Sequence, residues 1–413
     1  MYYASMRTEE SQPITFHITY LNPDNPDPNP PRRIVKDRWQ CVRLGERIPF
    51  TVQQVVKLAK ASDPRSSSLA VCHDANGHPY IWGLVDQGNQ YYDFVTYNSD
   101  HGPEQPGLFC ASISGVGRLV VYLGRQKVAE LRVDSLLSRP MDVFHAGPIY
   151  EALSPGILAY LESLYPLLKE KQYKDRLPWI EIWTSSWLDS LCRLLLRIQS
   201  LSHGGALLIT PDAALKGVNV KYRIMYPRLR SALSARARME IRLRYASEQI
   251  IYDYLSKSRS TGSVPVRLYL DETVAHNELD EIESECDGTI WFIGLLSRVD
   301  GAVVMNPRLD VMGYGAEILV PEEPGSVFLA GDAKGRRRVL KKVDYSQYGT
   351  RHRSMMRYCS KVTGSVGFVV SQDGDIRAMT EVGGHLVMWD NIRAQVDDRE
   401  ARTGGWIEGR EKR

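Results

Sequence analysis

The sequence predicts an α+β domain rich in antiparallel strands, followed by a C-terminal α/β domain. Between residues 69 and 133, short apolar runs alternate with Asn-Gly, Gly-Asn and other glycine turns, which is typical of an antiparallel sheet. Further along the chain, an amphipathic helix over residues 185–201 stops at Gly204-Gly205, and a buried strand follows over residues 206–210. A helix, a glycine stop and a buried strand in this order start an α/β layer.

Composition places the chain among ordinary globular proteins. Its 413 residues are 43% hydrophobic and 24% charged, and this length allows two or three domains, each with its own core. The net charge of +3 excludes a nucleic-acid coat protein, so any site for an anionic partner must be local.

The targeting and cysteine patterns favour the cytoplasm. Residues 1–12 contain no apolar signal-peptide core and no run of 18 apolar residues is present, so we expect neither secretion nor a membrane span. The six cysteines lie far apart without a CxxC pair, which favours buried free thiols in a reducing compartment over a zinc site or disulfides. We therefore expect a cytoplasmic protein without a membrane partner.

We expect four segments along the chain. Ser154 can cap a helix with Pro155 in its first turn, and this helix would join the two domains. The segments are an α+β domain at residues 1–150, a helical connector at 151–180, the α/β domain at 181–390 and a charged tail at 391–413.

Two patterns describe the N-terminal domain further. Thr51 followed by Gln54 has the arrangement of a capping box and predicts a helix over residues 51–61. In the strands, aromatic residues follow one another closely and predict either an aromatic-rich sheet core, which we favour, or a ligand pocket. These residues are Trp82, Tyr91, Tyr92, Phe94 and Phe109.

The segment 228–244 is a strongly basic predicted helix. Its arginines could contact RNA or phosphate, but acidic residues such as Glu240 and Glu248 alternate with them. We therefore favour a solvated face whose arginine stems cover apolar surface. Binding of nucleic acid is the least favoured function for the chain.

The first motif with possible chemistry is Asp300-Gly301-Ala302, at the start of a predicted buried strand over residues 302–305. A carboxylate in this position has a fixed direction, and the small residues let a ligand approach the backbone. Alone this motif is weak, because Asp-Gly is also a common turn dipeptide.

The second motif is the string from Gly349 to Arg353, which precedes an apolar-periodic run. Thr350 could cap the following helix, and the helix start would present free N–H groups and its positive dipole end. Two arginines and a histidine at such a position indicate a polyphosphate site, although the string alone could also be an exposed basic cap.

The third motif is Ser371-Gln372-Asp373-Gly374-Asp375, at the end of a predicted strand over residues 367–371. A serine and carboxylates at a strand end suit phosphate and a hard divalent cation.

The order of these motifs resembles the diadenylate cyclase (DAC) family, which carries Asp-Gly-Ala, then GTRHR opening a helix, then Ser with acidic residues after a Val-Val strand. The resemblance extends over residues 187–380. It implies a mixed central sheet flanked by helices. It also implies condensation of two ATP molecules into cyclic di-AMP with release of pyrophosphate, which needs Mg²⁺ or Mn²⁺. ATP would be the substrate, and DAC domains would pair about a two-fold axis in a homo-oligomer.

The resemblance also implies roles for individual residues. Asp300 would hold the metal and help to activate the 3′-hydroxyl, Asp373 would be a second metal ligand, and Arg351 and His352 would act on the phosphates. The implied nucleotide-binding residues are Gly301, Ala302, Gly313, Gly315, Ala316, Gly349, Thr350, Arg353 and Ser371.

Three departures from the family pattern are visible. Val299 stands where the family often has His, and Gln372-Asp373 replaces a pair of glutamates. The stretch between the first two motifs is long and contains a basic segment from Lys334 to Lys342, and this stretch is either a lid over the triphosphate or an exposed hairpin tip.

The N-terminal part resembles the sensor-type domains that precede DAC domains in some bacterial proteins, mainly over residues 48–65 and 82–94. The leading interpretation is thus a cyclase regulated by its N-terminal domain. The alternative is a DAC-like module that has lost turnover and binds ATP or a cyclic dinucleotide as a sensor.

Overall fold

The computed structural model describes residues 1–9, 12–26, 39–62, 66–86, 109–123, 126–132, 135–137, 140–170, 177–201, 203–250, 264–372 and 374–394. The chain divides into two compact units, Met1–Pro140 and Met141–Arg413. The second unit therefore starts before the segment that the sequence suggests as a helical connector.

The first unit is built on an eight-stranded sheet in the order β10-β9-β8-β7-β3-β5-β6-β4. Strands β3 and β5 are parallel and the other neighbours are antiparallel. The antiparallel strands expected after residue 69 are confirmed, whereas β3 and β4 precede the helix and were not predicted. The strands are β1 (Thr8–Glu9), β2 (Gln12–Pro13), β3 (Phe16–Tyr20), β4 (Gln40–Pro49), β5 (Ser67–His73), β6 (Pro79–Asp86), β7 (Phe109–Gly115), β8 (Arg118–Leu123), β9 (Gln126–Arg132) and β10 (Ser135–Leu137), and the helices are α1 (Tyr2–Ser5) and α2 (Val52–Ala59).

Helix α2 begins as predicted. The hydroxyl of Thr51 accepts a hydrogen bond from the backbone N–H of Gln54 at 3.3 Å, and the helix buries Val55 and Ala59. These side chains join a core that includes Phe16, Leu69 and Ile81 of the sheet.

Of the aromatic residues in this pattern, the structure describes Trp82 and Phe109, and only Trp82 supports the core interpretation. Trp82 is buried, packs with Tyr80 and Trp39, and donates its indole N–H to the carbonyl of Leu21 at 3.0 Å. Phe109, at the start of β7, is exposed and lies outside that core. Tyr91, Tyr92 and Phe94 lie outside the described residues.

The second unit is built on a nine-stranded sheet in the order β12-β14-β13-β11-β17-β18-β19-β15-β16. The pairs β11/β13 and β15/β19 are parallel and the others are antiparallel, so the predicted α/β unit with a mixed central sheet is confirmed. The strands are β11 (Gly205–Ile209), β12 (Val218–Tyr226), β13 (Ala302–Met305), β14 (Val311–Ile318), β15 (Val327–Ala330), β16 (Leu340–Val343), β17 (Val366–Val370), β18 (Ile376–Val382) and β19 (His385–Trp389).

Helices cover both faces of this sheet. The helices are α3 (Pro148–Glu170), α4 (Leu177–Ser200), α5 (Arg228–Glu248), α6 (Val266–Leu296) and α7 (Thr350–Lys361). Met355 and Met356 of α7 pack against Ala206 and Leu208 of β11. Because successive residues of a strand face opposite sides of the sheet, Gly205 faces away from α7. Ile198 of α4 packs on Gly205 from that side. All five residues of β11 are therefore buried, as in an α/β layer.

Two helix starts differ from the prediction. Helix α3 begins at Pro148, and Ser154 lies inside it, where its hydroxyl donates to the carbonyl of Tyr150 at 2.8 Å instead of capping the helix. Helix α4 begins at Leu177 because Trp179 and Trp183, both buried, continue its apolar face toward the N-terminus.

The basic helix α5 follows the solvated-face interpretation. Most of its arginines are engaged by carboxylates, as in the pairs of Arg228 with Glu285 and of Arg244 with Glu248. Arg236 lies 3.0 Å from Glu240 and 3.2 Å from Glu283. Charges paired in this way are not free to track a phosphate backbone.

The basic segment before α7 is a hairpin tip. It connects β15 to the antiparallel β16, and the Asp332 carboxylate accepts from Nε of Arg336 at 2.6 Å. The carbonyl of Asp332 accepts from the indole of the buried Trp389 at 3.0 Å. Because the tip is anchored to its own unit, the geometry favours the hairpin-tip interpretation over a lid.

Candidate nucleotide-binding site

Two strand ends that carry sequence motifs, the start of β13 and the end of β17, lie at the same end of the second sheet as the start of β11. Strand β11 runs parallel to β13, with Leu207 opposite Val303, so both strands start at this end. Strand β17 is antiparallel to β11, and Gly205 lies opposite Val370. The Asp300 segment that precedes β13 and the Ser371 turn that follows β17 are therefore brought together around the start of β11.

Gly204 lies at the centre of this arrangement. A methyl group placed on Gly204 would come within 3.0 Å of Nη1 of Arg351, 3.1 Å of the carbonyl oxygen of Val370 and 3.3 Å of the backbone nitrogen of Gln372. Its φ of +71° lies in the left-handed region, where glycine is favoured. A methyl group placed on the neighbouring Gly205 would lie 3.2 Å from Cβ of Ser297, and Ser297 precedes Asp300 by three residues. The two glycines thus connect the Arg351 side of the site to the Asp300 side.

Helix α7 starts at the site with its N-terminus uncapped by a side chain. Gly349 is the N-cap and Thr350 is the first helical residue, so the predicted capping by Thr350 is wrong. Glycine has no side-chain acceptor, which leaves the first N–H groups of the helix available to an anion.

Arg351 is the cation closest to Gly204 and is half-buried. Its guanidinium forms no ion pair with a carboxylate of the described residues. An arginine with unused forked donors beside free backbone N–H groups is suited to a phosphate.

Arg353 lies on the same first turn of α7. Its Nε is buried and has no hydrogen-bond partner among the described residues. A buried donor without a partner costs about 1–3 kcal/mol, so a ligand that accepts from it would recover free energy.

His352 is held away from a charged state. Its Nε2 lies 3.0 Å from Nη1 of Arg377, and because an arginine can only donate, Nε2 accepts and the ring proton is on Nδ1. Burial lowers the pKa of His352 to about 4, and the positive charges of Arg377 and Arg351 act in the same direction, whereas Asp375 opposes them. His352 is thus a neutral group near pH 7.

This arrangement predicts a pH-dependent stability. Because the pKa of His352 is lowered in the folded protein, the unfolded chain binds more protons between pH 6.5 and 4. The contribution of neutral His352 to the free energy of unfolding is therefore present above pH 6.5 and is lost as the pH falls toward 4. The free energy of unfolding of the wild type should fall as the pH is lowered through this window, and in His352→Gln this fall should be smaller by about 1–2 kcal/mol, with partial exposure allowed for. Denaturant unfolding at several pH values measures this difference.

The exposed His276 of α6 provides the matched control for that prediction. His276→Gln should keep the pH dependence of the wild-type protein. If His352→Gln also kept the wild-type pH dependence, a lowered pKa of His352 in the folded protein would be excluded.

Arg377 itself is fixed by a carboxylate. Its Nε donates to Asp390 at 2.5 Å, and its guanidinium lies 3.9 Å from Asp375 and 5.9 Å from the ring centre of Tyr348. Arg377 is therefore a positioning group that orients His352, and its sequence position on β18 carried no motif that could have revealed it.

The Ser371 turn is tightly formed. The hydroxyl of Ser371 accepts from the backbone N–H of Asp375 at 3.0 Å, and the side-chain amide of Gln199, at the end of α4, donates to the carbonyl of Gly374 at 2.6 Å. The hydroxyl hydrogen of Ser371 remains able to donate to a ligand. Asp373, the predicted second metal ligand, lies outside the described residues.

Asp300 lies in the turn between α6 and β13. Its side chain is exposed and has no hydrogen-bond or salt-bridge partner among the described residues. The next residue, Gly301, has a φ of +116°, and a methyl group on it would lie 2.6–2.8 Å from backbone atoms of Gly315 and Ala316. Only glycine fits here, so the motif holds the Asp300 turn directly against β14.

The glycines of β14 have a packing role. Strand β14 is paired on both edges, with β12 and with β13. A methyl group on Gly313 would meet the Val220 side chain at 2.3 Å, and Gly315 (φ +62°) lies at the irregularity opposite β13, next to the ring of Tyr222. Contact of this strand with adenine, implied by the resemblance, stays a prediction.

A divalent cation would find few protein ligands at this site. Within the described part of the chain, no group of three or more His, Cys, Asp or Glu side chains is placed to hold a metal ion. Mg²⁺ in nucleotide sites is commonly held by one or two carboxylates together with substrate phosphates, and the free carboxylate of Asp300 fits that pattern.

The described helices include none that is long and apolar enough to cross a bilayer. All six cysteines are free thiols, and five of them are buried, as expected from their spacing.

One comparison with known families bears on the first unit. Residues 1–86 match the family model described as "Probable sensor domain DACNV". This DACNV segment ends at the last residue of β6 and contains α1, α2 and strands β1–β6. It supports the sensor-type domain predicted for the N-terminal part. No curated protein and no solved structure matches the chain.

Proposed function

We propose that the chain is a diadenylate cyclase that condenses two ATP molecules into cyclic di-AMP and releases pyrophosphate, under the control of its DACNV segment. The observation that carries this proposal is that Arg351 and the backbone of the Ser371 turn meet at Gly204, at the start of β11, and that the strand beside β11 is β13, which follows Asp300. The DACNV segment supports it, because a sensor domain named for this association precedes the site.

The phosphates of ATP are the part of the substrate that these residues fit best. Arg351 provides forked charged donors, the uncapped start of α7 provides N–H groups, and Ser371 provides a hydroxyl. Near neutral pH, His352 contributes its Nδ1 proton as a neutral donor. Such groups bind a triphosphate and stabilise charge that develops at its α-phosphorus.

The reaction joins two nucleotides. The 3′-oxygen of one ATP forms a bond to the α-phosphorus of the other, the bond to the β-phosphate oxygen breaks, and pyrophosphate leaves. In our proposal Asp300 accepts the 3′-hydroxyl proton. Asp300 and Asp373 would hold Mg²⁺ or Mn²⁺ together with the substrate phosphates, and the cation would supply neutralisation of phosphate charge. Because both nucleotides must react, two copies of the chain are proposed to pair about a two-fold axis.

A second candidate function is a sensor that binds ATP or a cyclic dinucleotide without turnover. Gln372 supports it, because an amide stands at a position of the Ser371 turn where a carboxylate would help to hold a metal. The phosphate-binding groups would still serve such a module.

One pair of measurements separates these functions. The purified full chain is incubated with ATP and either Mg²⁺ or Mn²⁺, and the products are analysed by chromatography and mass spectrometry, while ATP binding is measured by calorimetry. We expect cyclic di-AMP and pyrophosphate in a ratio of about one to two, since each of the two bonds formed releases one pyrophosphate. ATP binding without product at any metal concentration would identify the sensor, and no binding of ATP would exclude both functions.

A further inference from the structure

A second cationic site lies away from the motif-bearing end of the sheet. A cavity of about 270 Å³ opens between α3, α5 and the loop that follows β13. Asp300 precedes β13 and Arg308 follows it, so the cavity and the candidate nucleotide site are separated by the length of that strand. None of the nucleotide-site residues lines it.

The lining contains three arginines and no acidic side chain. Arg230 and Arg238 lie two turns apart on one face of α5 with Ser234 between them, and Arg308 approaches from the loop. The opposite wall is formed by α3 and includes Tyr160 and Ser163.

The arginines of the cavity differ from the others of α5. Arg228, Arg236, Arg242 and Arg244 are each paired with a glutamate. Within the described residues, neither Arg238 nor Arg308 has a carboxylate partner. Their charge therefore remains available to a ligand.

Arg230 is oriented by the loop. Its Nε donates to Oδ1 of the buried Asp310 at 2.7 Å, and the other carboxylate oxygen accepts from the side-chain amide of Asn306 at 3.0 Å. The single carboxylate of Asp310 does not neutralise three guanidiniums, so the cavity has a net positive charge. The terminal nitrogens of Arg230 keep donors free.

The walls of the cavity are rigid. A methyl group on Gly156 of α3 would lie 1.9 Å from the carbonyl oxygen of Pro307, so the helix is packed directly on the loop that carries Arg308. The hydroxyl of Tyr160 donates to the carbonyl of Leu233 at 3.0 Å and ties α3 to α5. The three arginines are thus presented by elements that are held together without a ligand.

We propose that this cavity binds the phosphoryl group of a small anion that carries two or more negative charges. Two planar guanidiniums from α5 and one from the β13–β14 loop match the oxygens of a phosphate, and the volume admits a phosphate or pyrophosphate group but not a whole dinucleotide. A bound anion would bridge α3, α5 and the β13–β14 loop and would stabilise the second unit.

The test is a calorimetric titration of the full chain with pyrophosphate, inorganic phosphate and AMP, in the presence of EDTA. Four proteins are compared, namely the wild type, Arg238→Gln/Arg308→Gln, Arg351→Gln at the nucleotide site, and Arg267→Gln on the exposed start of α6. We expect the double variant to weaken, by at least ten-fold, a pyrophosphate-binding event that Arg351→Gln and Arg267→Gln both keep, and the binding constant of this event should fall with added salt. Thermal unfolding without ligand should be nearly unchanged, because both substituted arginines are exposed.

Each other outcome overturns the proposal. Equal binding to wild type and double variant would place the anion elsewhere, and loss with Arg351→Gln alone would place it at the nucleotide site. Absence of binding to the wild type would show a solvated cavity. Comparison of the three ligands distinguishes the source of the phosphoryl group, because tighter binding of AMP than of inorganic phosphate would indicate a phosphate ester.

Discussion

Asp300→Asn is expected to lower the formation of cyclic di-AMP by about 10³-fold or more, while ATP still binds with an affinity within a few-fold of the wild type. The amide keeps the shape of the carboxylate but cannot accept the 3′-hydroxyl proton or neutralise a cation. Since Asp300 is exposed and has no side-chain partner among the described residues, the substitution leaves the folded chain without a lost contact. Product formation and ATP binding are measured on the same preparation.

Asp271, an exposed carboxylate near the start of α6, provides the control. Asp271→Asn makes the same chemical change and should leave turnover unaltered. Cyclic di-AMP formed at the wild-type rate by Asp300→Asn would remove Asp300 from the reaction, and equal losses in both variants would point to a general effect of charge.

Arg351→Gln is expected to weaken ATP binding by about 10- to 100-fold, which corresponds to the loss of one or two charge-assisted hydrogen bonds to phosphate. The half-buried guanidinium lies beside Gly204 and is not used in an ion pair with a described carboxylate, so its donors are free for the ligand. Calorimetric titration with ATP, and with adenosine as the phosphate-free ligand, measures the effect. Only the affinity for ATP should change.

The matched substitution on the same helix is Lys361→Gln, at the exposed end of α7 where the lysine pairs with Glu322 at 3.1 Å. It removes one positive charge from the same helix and should leave ATP affinity unchanged. An unchanged affinity in Arg351→Gln would mean that the triphosphate does not reach Gly204, and the proposed function would lose its main support.

Gly204→Ala changes the contact between Gly204 and Arg351 from the side of the glycine. Its methyl group would occupy the space between Nη1 of Arg351 and the backbone after β17, at a φ of +71° that alanine disfavours. The need for glycine at this position was not recognised from the sequence, where the pair Gly204-Gly205 indicated only the end of a helix.

Some parts of the second unit follow directly from sequence patterns. The strands β11, β13 and β17 are continuous apolar runs bounded by glycine or polar turns, and each was predicted to within one residue. Such runs can be recognised in the sequence because a strand buried on both faces must be apolar throughout. The helix starts at Pro148 and Leu177 were missed because apolar packing extended both helices beyond their local start signals.

By itself, the sequence determined where the buried strands β11, β13 and β17 lie, the α/β character of the second unit, and the short strings in which an aspartate, an arginine-rich helix start and a serine occur. Only the tertiary structure decided that the arginine-rich helix start and the serine turn meet at Gly204, that His352 is neutral beside Arg377, and that Arg230, Arg238 and Arg308 share one cavity. The reason is that strand periodicity is a local property of the chain. The parallel or antiparallel pairing of β11 with its neighbours, which decides which ends meet, depends on packing between distant segments.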